Sequence, residues 1–174
     1  MTKRLLYIQL ILIIVIGLLF ISVADARILK VKVSVVGMAC PFCAYGVEKK
    51  LRKVEGVGSI IINMQEGTAA MSAKNGVSIN VHQVPGAIKD SGFTSGKITM
   101  TATGRIMSDE TERLVFKVEG SKEAFLLEDL RNGIKKQILK YAETGALVEV
   151  SGAVNEASGR TWSLSVDVIM DVVK

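Results

Sequence analysis

The chain has 174 residues, 49% of them apolar, with 22 Lys and Arg against 17 Asp and Glu for a net charge of +5. That is ample apolar material for one packed core or two small ones, and it excludes a disordered, highly charged polymer. The basic excess holds no run of Lys and Arg long enough for a nucleic-acid groove, and two cysteines are too few for a disulfide-stapled scaffold.

Residues 1–26 read as an export signal. Lys3 and Arg4 precede an apolar stretch densest from Leu10 to Val23, and Ala24-Asp25-Ala26 offers small residues at both positions before a cut. The mature chain is then expected to begin at Arg27, in the periplasm, with a net charge of +4 on 148 residues once Lys3, Arg4 and Asp25 are gone. The competing expectation is an uncleaved membrane anchor through residues 5–24. Either way the remainder lies outside the cytoplasm, because no second apolar run returns it.

From Ile28 to Val36, Leu29, Val31, Val33 and Val35 alternate with Lys30, Lys32 and Ser34, the period of a half-buried strand that ends at Gly37. Helical spacing follows, with Ala44, Val47, Leu51 and Val54 on one face, Glu48, Lys49, Arg52 and Lys53 on the other, and Gly56 as the stop. Ile60 to Ile62 and Ala69 to Ala73 form a hairpin about Gln65-Glu66-Gly67. Ser78 is placed to cap a second helix with Val81, Val84 and Ile88 inward; Pro85-Gly86 predicts a short or irregular start and Gly92 an end. Phe93 to Thr99 completes the order strand, helix, strand, strand, helix, strand, a ferredoxin-like split unit within an α+β fold.

Beyond it the pattern is mostly strands: Thr101 to Met107, Leu114 to Val118, a segment around Phe125-Leu126-Leu127, Ala146 to Val154, and Trp162 to Val173 with Trp162, Leu164, Val166 and Val168 inward. One helix with Leu130, Ile134, Ile138 and Tyr141 on its face, ended by Thr144-Gly145, falls between the third and fourth. Five strands so arranged predict a small Greek-key barrel. The division is therefore 1–26 as signal, 27–99 as the first domain and 100–174 as the barrel, with the boundary near Ile98.

The chemistry concentrates in Gly37-Met38-Ala39-Cys40-Pro41-Phe42-Cys43, which holds both cysteines at a strand-to-helix turn. Two thiolates three residues apart at a helix start converge on one point, where the helix N-terminus favours their charge. A lone C-x-x-C pair serves metal chelation, thiol redox work and half-sites for zinc alike, or stands as a vestigial or structural pair. For a metal, Cu(I) and Hg(II) accept a nearly linear pair of soft thiolates, whereas Zn(II) would need two more ligands from a chain with one His, His82, and no other Cys. Met38 is expected to pack beneath the loop, and His82 to be a surface or half-buried residue. Phe116, Phe125, Tyr141 and Trp162 are spaced as core positions, and no catalytic constellation can be built around the single histidine. Besides the cysteines, the sequence offers no enzyme site.

With these flanks, residues 28–99 resemble the heavy-metal-associated domain of mercuric-ion periplasmic binding proteins, copper chaperones and metal-pumping ATPases. The resemblance rests on Gly37-Met38-x-Cys40-x-x-Cys43, Leu51-x-x-Val54-x-Gly56-Val57, the Glu66-Gly67 hairpin and Ala87-Ile88-Lys89-Asp90-Ser91-Gly92-Phe93. It implies Cys40 and Cys43 as metal ligands, Met38 as a buried support, Phe93 as an aromatic near the site, and passage of the ion to a membrane transporter. The chain departs from the family at Pro41 and at Pro85-Gly86. Cys40-Pro41-Phe42-Cys43 also resembles the tetrad of glutaredoxins, with Val84-Pro85 as that fold's proline loop, which keeps a thiol–disulfide oxidoreductase as the alternative. The segment between motif and Pro85 is too short for that fold. Residues 100–174 look diffusely like an exported bacterial OB-fold, which assigns no functional residue; a structural or interaction module acting through this barrel is the third reading.

Overall fold

The computed structural model describes residues 28–128, 132–156 and 161–172. The expected export segment, and Leu130 of the third helix face, lie outside these described residues. Strands β1 (Ile28–Val36), β2 (Val57–Asn63), β3 (Thr68–Ala73) and β4 (Thr94–Ser108) and helices α1 (Pro41–Leu51) and α2 (Val84–Asp90) make the first unit, in the expected order. The barrel holds β5 (Leu114–Val118), β6 (Ala124–Glu128), α3 (Asn132–Thr144), β7 (Leu147–Glu156) and β8 (Trp162–Asp171).

In β1 the alternation holds: Val31, Val33 and Val35 are buried while Lys30 and Lys32 are exposed. At its start Ile28, not Leu29, is the buried residue, because pairing with β4 is irregular between Ile28 and Lys30 and one extra residue reverses the facing of a strand. Helix α1 buries Val47 and Leu51 but ends at Leu51, so Val54 is buried from a turn rather than from the helix. Gly56 sits in that turn at φ +81°, with the carbonyl of Ser78 2.0 Å from where a Cβ would lie.

Two expectations about the second helix divide. Val81, Val84 and Ile88 are buried, with a 3-10 turn over Val81–Gln83 and Pro85 in the first turn of α2, where its missing N–H costs nothing. Ser78 does not cap it; its hydroxyl instead accepts the Ile28 N–H at 3.1 Å, tying the loop to the start of β1. At the far end Gly92 N–H donates to Lys89 O and Phe93 N–H to Ile88 O, the paired bonds of a Schellman motif.

The largest departure is β4. The strand expected at Phe93 to Thr99 and that expected at Thr101 to Met107 are one continuous strand of 15 residues. Its first part pairs with β1, its last with β5, and Ile98 to Arg105 pair with β7 on the remaining edge. The sheet order β2-β3-β1-β4-β5-β6-β8-β7, with β7 returning to β4, therefore gives a four-stranded ferredoxin-like sheet and a closed five-stranded barrel sharing one strand. In the barrel β6 and β8 are parallel and the other pairs antiparallel. A division at residue 99 falls inside β4.

Phe116, Phe125, Leu127, Ile138, Val148, Val150, Leu164 and Val166 fill the barrel, in one buried cluster with the core beneath α1 and α2. In β8 the inward set breaks after Val166: the register with β7 shifts there, Val168 is exposed and Ile169 packs on the core. Leu114 to Val118 and the helix end at Gly145 fall where expected.

Candidate metal site

Cys40 occupies the N-cap of α1 in extended conformation, φ −132° and ψ 152°, and its Sγ accepts the Cys43 N–H at 3.1 Å. Its carbonyl accepts the Ala44 N–H at 3.0 Å, the first helical bond. Pro41 opens the helix at a position whose N–H has no intrahelical partner, so this departure from the family pattern fits α1 without loss. The helix thus presents both sulfurs at its positive end, a Cα–Cα separation of 5.1 Å apart, and here they are joined as a disulfide.

The pair sits on a firm base and an open rim. Met38 is buried, as expected, holding the loop onto the core, and Phe93 is half-buried against the same cluster. Phe42, between the cysteines, is 89% exposed and Tyr45 one turn on is 67% exposed, so the sulfurs lie at an accessible tip rather than in a cage. Among the described residues no group of three or more His, Cys, Asp and Glu is disposed to hold a metal ion. Two thiolates so placed have the geometry of a two-coordinate chelate, whereas in the disulfide neither sulfur has a thiolate to offer.

Residues 32–94 match the family described as the heavy-metal-associated domain. Residues 32–94 are a heavy-metal-associated domain. A mercuric reductase of Shewanella putrefaciens is 35% identical over 69 residues, which is 40% of this chain; the chain spans 12% of that enzyme's length. Among solved structures, oxidised MerP from Ralstonia metallidurans CH34 is 30% identical, with 38% of this chain and 92% of that one covered and a TM-score of 0.35. The CopZ metallochaperone is 28% identical over 38% of this chain and 98% of its own, with a TM-score of 0.35.

In the heavy-metal-associated domain Val84-Pro85 lies in the first turn of α2, at the end of the unit away from the cysteine loop, so it does not form the proline loop of the glutaredoxin reading. His82 is half-buried as expected, but in a setting that its sequence neighbours did not announce. Its ring stacks on Phe125 at 5.7 Å and meets the edge of Trp162 at 4.7 Å, and its Nε2 lies 3.7 Å from Glu123 Oε1. Burial pushes the Glu123 carboxyl up to about 7, with the charge of Glu55 adding to the rise, and burial pushes His82 down. Phe116 and Phe125 are core residues, and Tyr141 and Trp162 pack against the core from partly exposed positions. Asp109 belongs to a turn rather than a site: its carboxylate accepts from Thr111 Oγ1 at 2.7 Å, from the Thr111 and Arg113 N–H groups and from Arg113 Nε, which holds it far below the usual range.

Proposed function

We propose that this protein captures a soft metal ion, Cu(I) or Hg(II), between Cys40 and Cys43 and passes it on by ligand exchange, to a membrane transporter. What carries this reading is the convergence of both sulfurs at the exposed N-terminus of α1 within a heavy-metal-associated domain. Capture requires the disulfide to be opened first, by two electrons and two protons from a dithiol reductant; the ion then replaces the two thiol protons. Transfer begins when an incoming thiolate joins the ion as a third ligand and one of the two cysteines leaves, a step that an open rim allows and a closed cage forbids. We further infer export to the periplasm, with Cys40 and Cys43 acting there as ligands rather than as a redox pair, and an OB-like identity for the barrel. The strand succession and the helix between its third and fourth strands support that last reading.

The experiment is a titration of the reduced protein with Cu(I), Hg(II) and Zn(II) against a competing chelator, with Cys40→Ser and Cys43→Ser beside it. One soft ion per protein, lost by orders of magnitude in both variants, is the expected result. Disulfide reductase activity that survives in Cys43→Ser, with no metal bound by the unaltered protein, would instead establish the oxidoreductase.

A further inference from the structure

At the end of the heavy-metal-associated domain opposite the cysteine loop, its turn at Glu55 and its segment 80–83 meet the barrel around one pair of titratable groups. Glu123, on the turn between β5 and β6, has a side chain 16% exposed; His82, on the 3-10 turn before α2, faces it at 3.7 Å, too long for a hydrogen bond. Three buried polar atoms there have no partner: His82 Nδ1, Glu123 Oε2 and Asn80 Oδ1. The backbone around them is pinned. Asn80 N–H donates to Glu55 O, Glu55 N–H to Gln83 Oε1, Val118 N–H to Glu123 O and Glu123 N–H to Ser121 Oγ. With the backbone fixed, the facing atoms His82 Nε2 and Glu123 Oε1 are the ones a shared proton can join, and the unpartnered atoms show how poorly the pair is otherwise satisfied.

We propose that this junction is a proton-operated latch between the heavy-metal-associated domain and the barrel, engaged while one proton is held between His82 and Glu123 and released when it leaves to solvent. With the proton present, the pair is either a neutral acid against neutral imidazole or a carboxylate against imidazolium, two forms with the same proton count. Without it, a buried carboxylate faces a neutral ring and the charge of Glu55, and a ring N–H 3.7 Å away is too distant to offset the desolvation and repulsion. Among the described residues, Glu55 is the charge that acts on Glu123 here, and it is of like sign. β6 contributes Phe125 and β8 contributes Trp162. Lys122 lines a concavity with Arg105 and Lys117, and Lys50 and Lys53 line a groove beyond Gln83.

The molecule carries its own reporter, because Trp162 is the single tryptophan and its ring touches His82. Emission of the full chain is followed from pH 5.5 to 8.5 without metal, and amide exchange, corrected for its intrinsic pH dependence, at residues 80–83 and 123–125. The latch requires an emission step centred near neutrality and a loss of protection of about tenfold above it. Glu123→Gln should abolish that step. Glu55→Gln, at an exposed position that will not disturb folding, should move the step to lower pH by removing the repulsion. A flat emission profile, protection that ignores pH, or an unmoved midpoint in Glu55→Gln would each overturn the proposal, whatever the metal titration finds.

Discussion

Strand β4 offers the most direct test of how the two units depend on each other. Ending the protein at Thr99 removes Met100 and Ala102, which face Val31 and Ile28 respectively across the β1 ladder. Both are almost wholly buried, Met100 at 2% exposure and Ala102 at 0%. Losing a buried Met side chain costs about 2–3 kcal/mol and an Ala methyl about 0.8 kcal/mol. The lost ladder bonds at the start of β1 add about 1 kcal/mol each. A piece spanning 28–103 should therefore exceed one spanning 28–99 by about 4–6 kcal/mol, a large share of the roughly 5–15 kcal/mol that holds a domain together. Both pieces lack β7 and α3, which also pack on β4 in the complete chain, so the full-chain burial makes this difference an upper value. Urea unfolding followed by circular dichroism measures it: 28–103 should unfold cooperatively, and 28–99 at much lower urea or before any is added. Equal midpoints would refute the reasoning and show that β1 needs nothing beyond Thr99.

Three further outcomes follow from packing and charge. Gly56→Ala drives a Cβ against the Ser78 carbonyl at a positive φ, and should lower stability by about 2–4 kcal/mol in thermal or urea unfolding. Met38→Ala empties a buried position under the cysteine loop, costing about 2–4 kcal/mol and weakening metal binding by the reduced protein, read by chelator competition. Because the folded-state pKa of Glu123 is raised above 4.5 to about 7, its favourable contribution is full below pH 4.5 and is lost as pH rises through 7. Unfolding free energy should fall by about 2 kcal/mol over that window after allowing for partial screening, and Glu123→Gln should remove the slope.

The cysteine pair, the ferredoxin-like order and the number of barrel strands were all legible because each rests on local pattern: period 2 in β1, period 3.6 in α1, and a motif within seven residues. What escaped was set by partners distant in the chain. Nothing in Phe93 to Met107 says that Thr99 and Thr101 continue one strand through Met100, since the continuity is imposed by β1 on one edge and β7 on the other. The inward set of β8 was misjudged at Val168 because the register slips opposite Ser151 and Gly152, an event decided by pairing and invisible in the alternation. Ser78 has the composition of a helix cap, yet the free N–H of Ile28, 50 residues away, is the donor it meets. His82 and Glu123 are likewise brought together only by closure of the barrel onto the first unit, and the aromatics Phe125 and Trp162 were the one sequence signal that a polar group could be drawn in beside them.

The same topology separates the cysteine loop from the barrel. Val36, at the loop end of β1, pairs with Thr94, whereas β7 reaches along β4 only as far as Ile98 and the junction at His82 lies at the opposite end of α2. Among the described residues, no barrel strand pairs alongside the cysteine loop, so those strands have no direct way to donate a ligand, shield the ion or alter the charge at the start of α1. If Cys40, Cys43 and the helix terminus set the affinity by themselves, the reduced 28–103 piece should bind Cu(I) or Hg(II) within about threefold of the full chain in chelator competition, which is less than about 0.7 kcal/mol. A loss of tenfold or more would mean that the barrel acts on the loop through an element that runs from the junction to the loop end, with α2, whose last turn hands the chain to Phe93, as the first candidate. In that event Phe93→Leu, which keeps the burial and removes the ring, should shrink the difference between piece and full chain; an unchanged difference would locate the coupling in β4 instead.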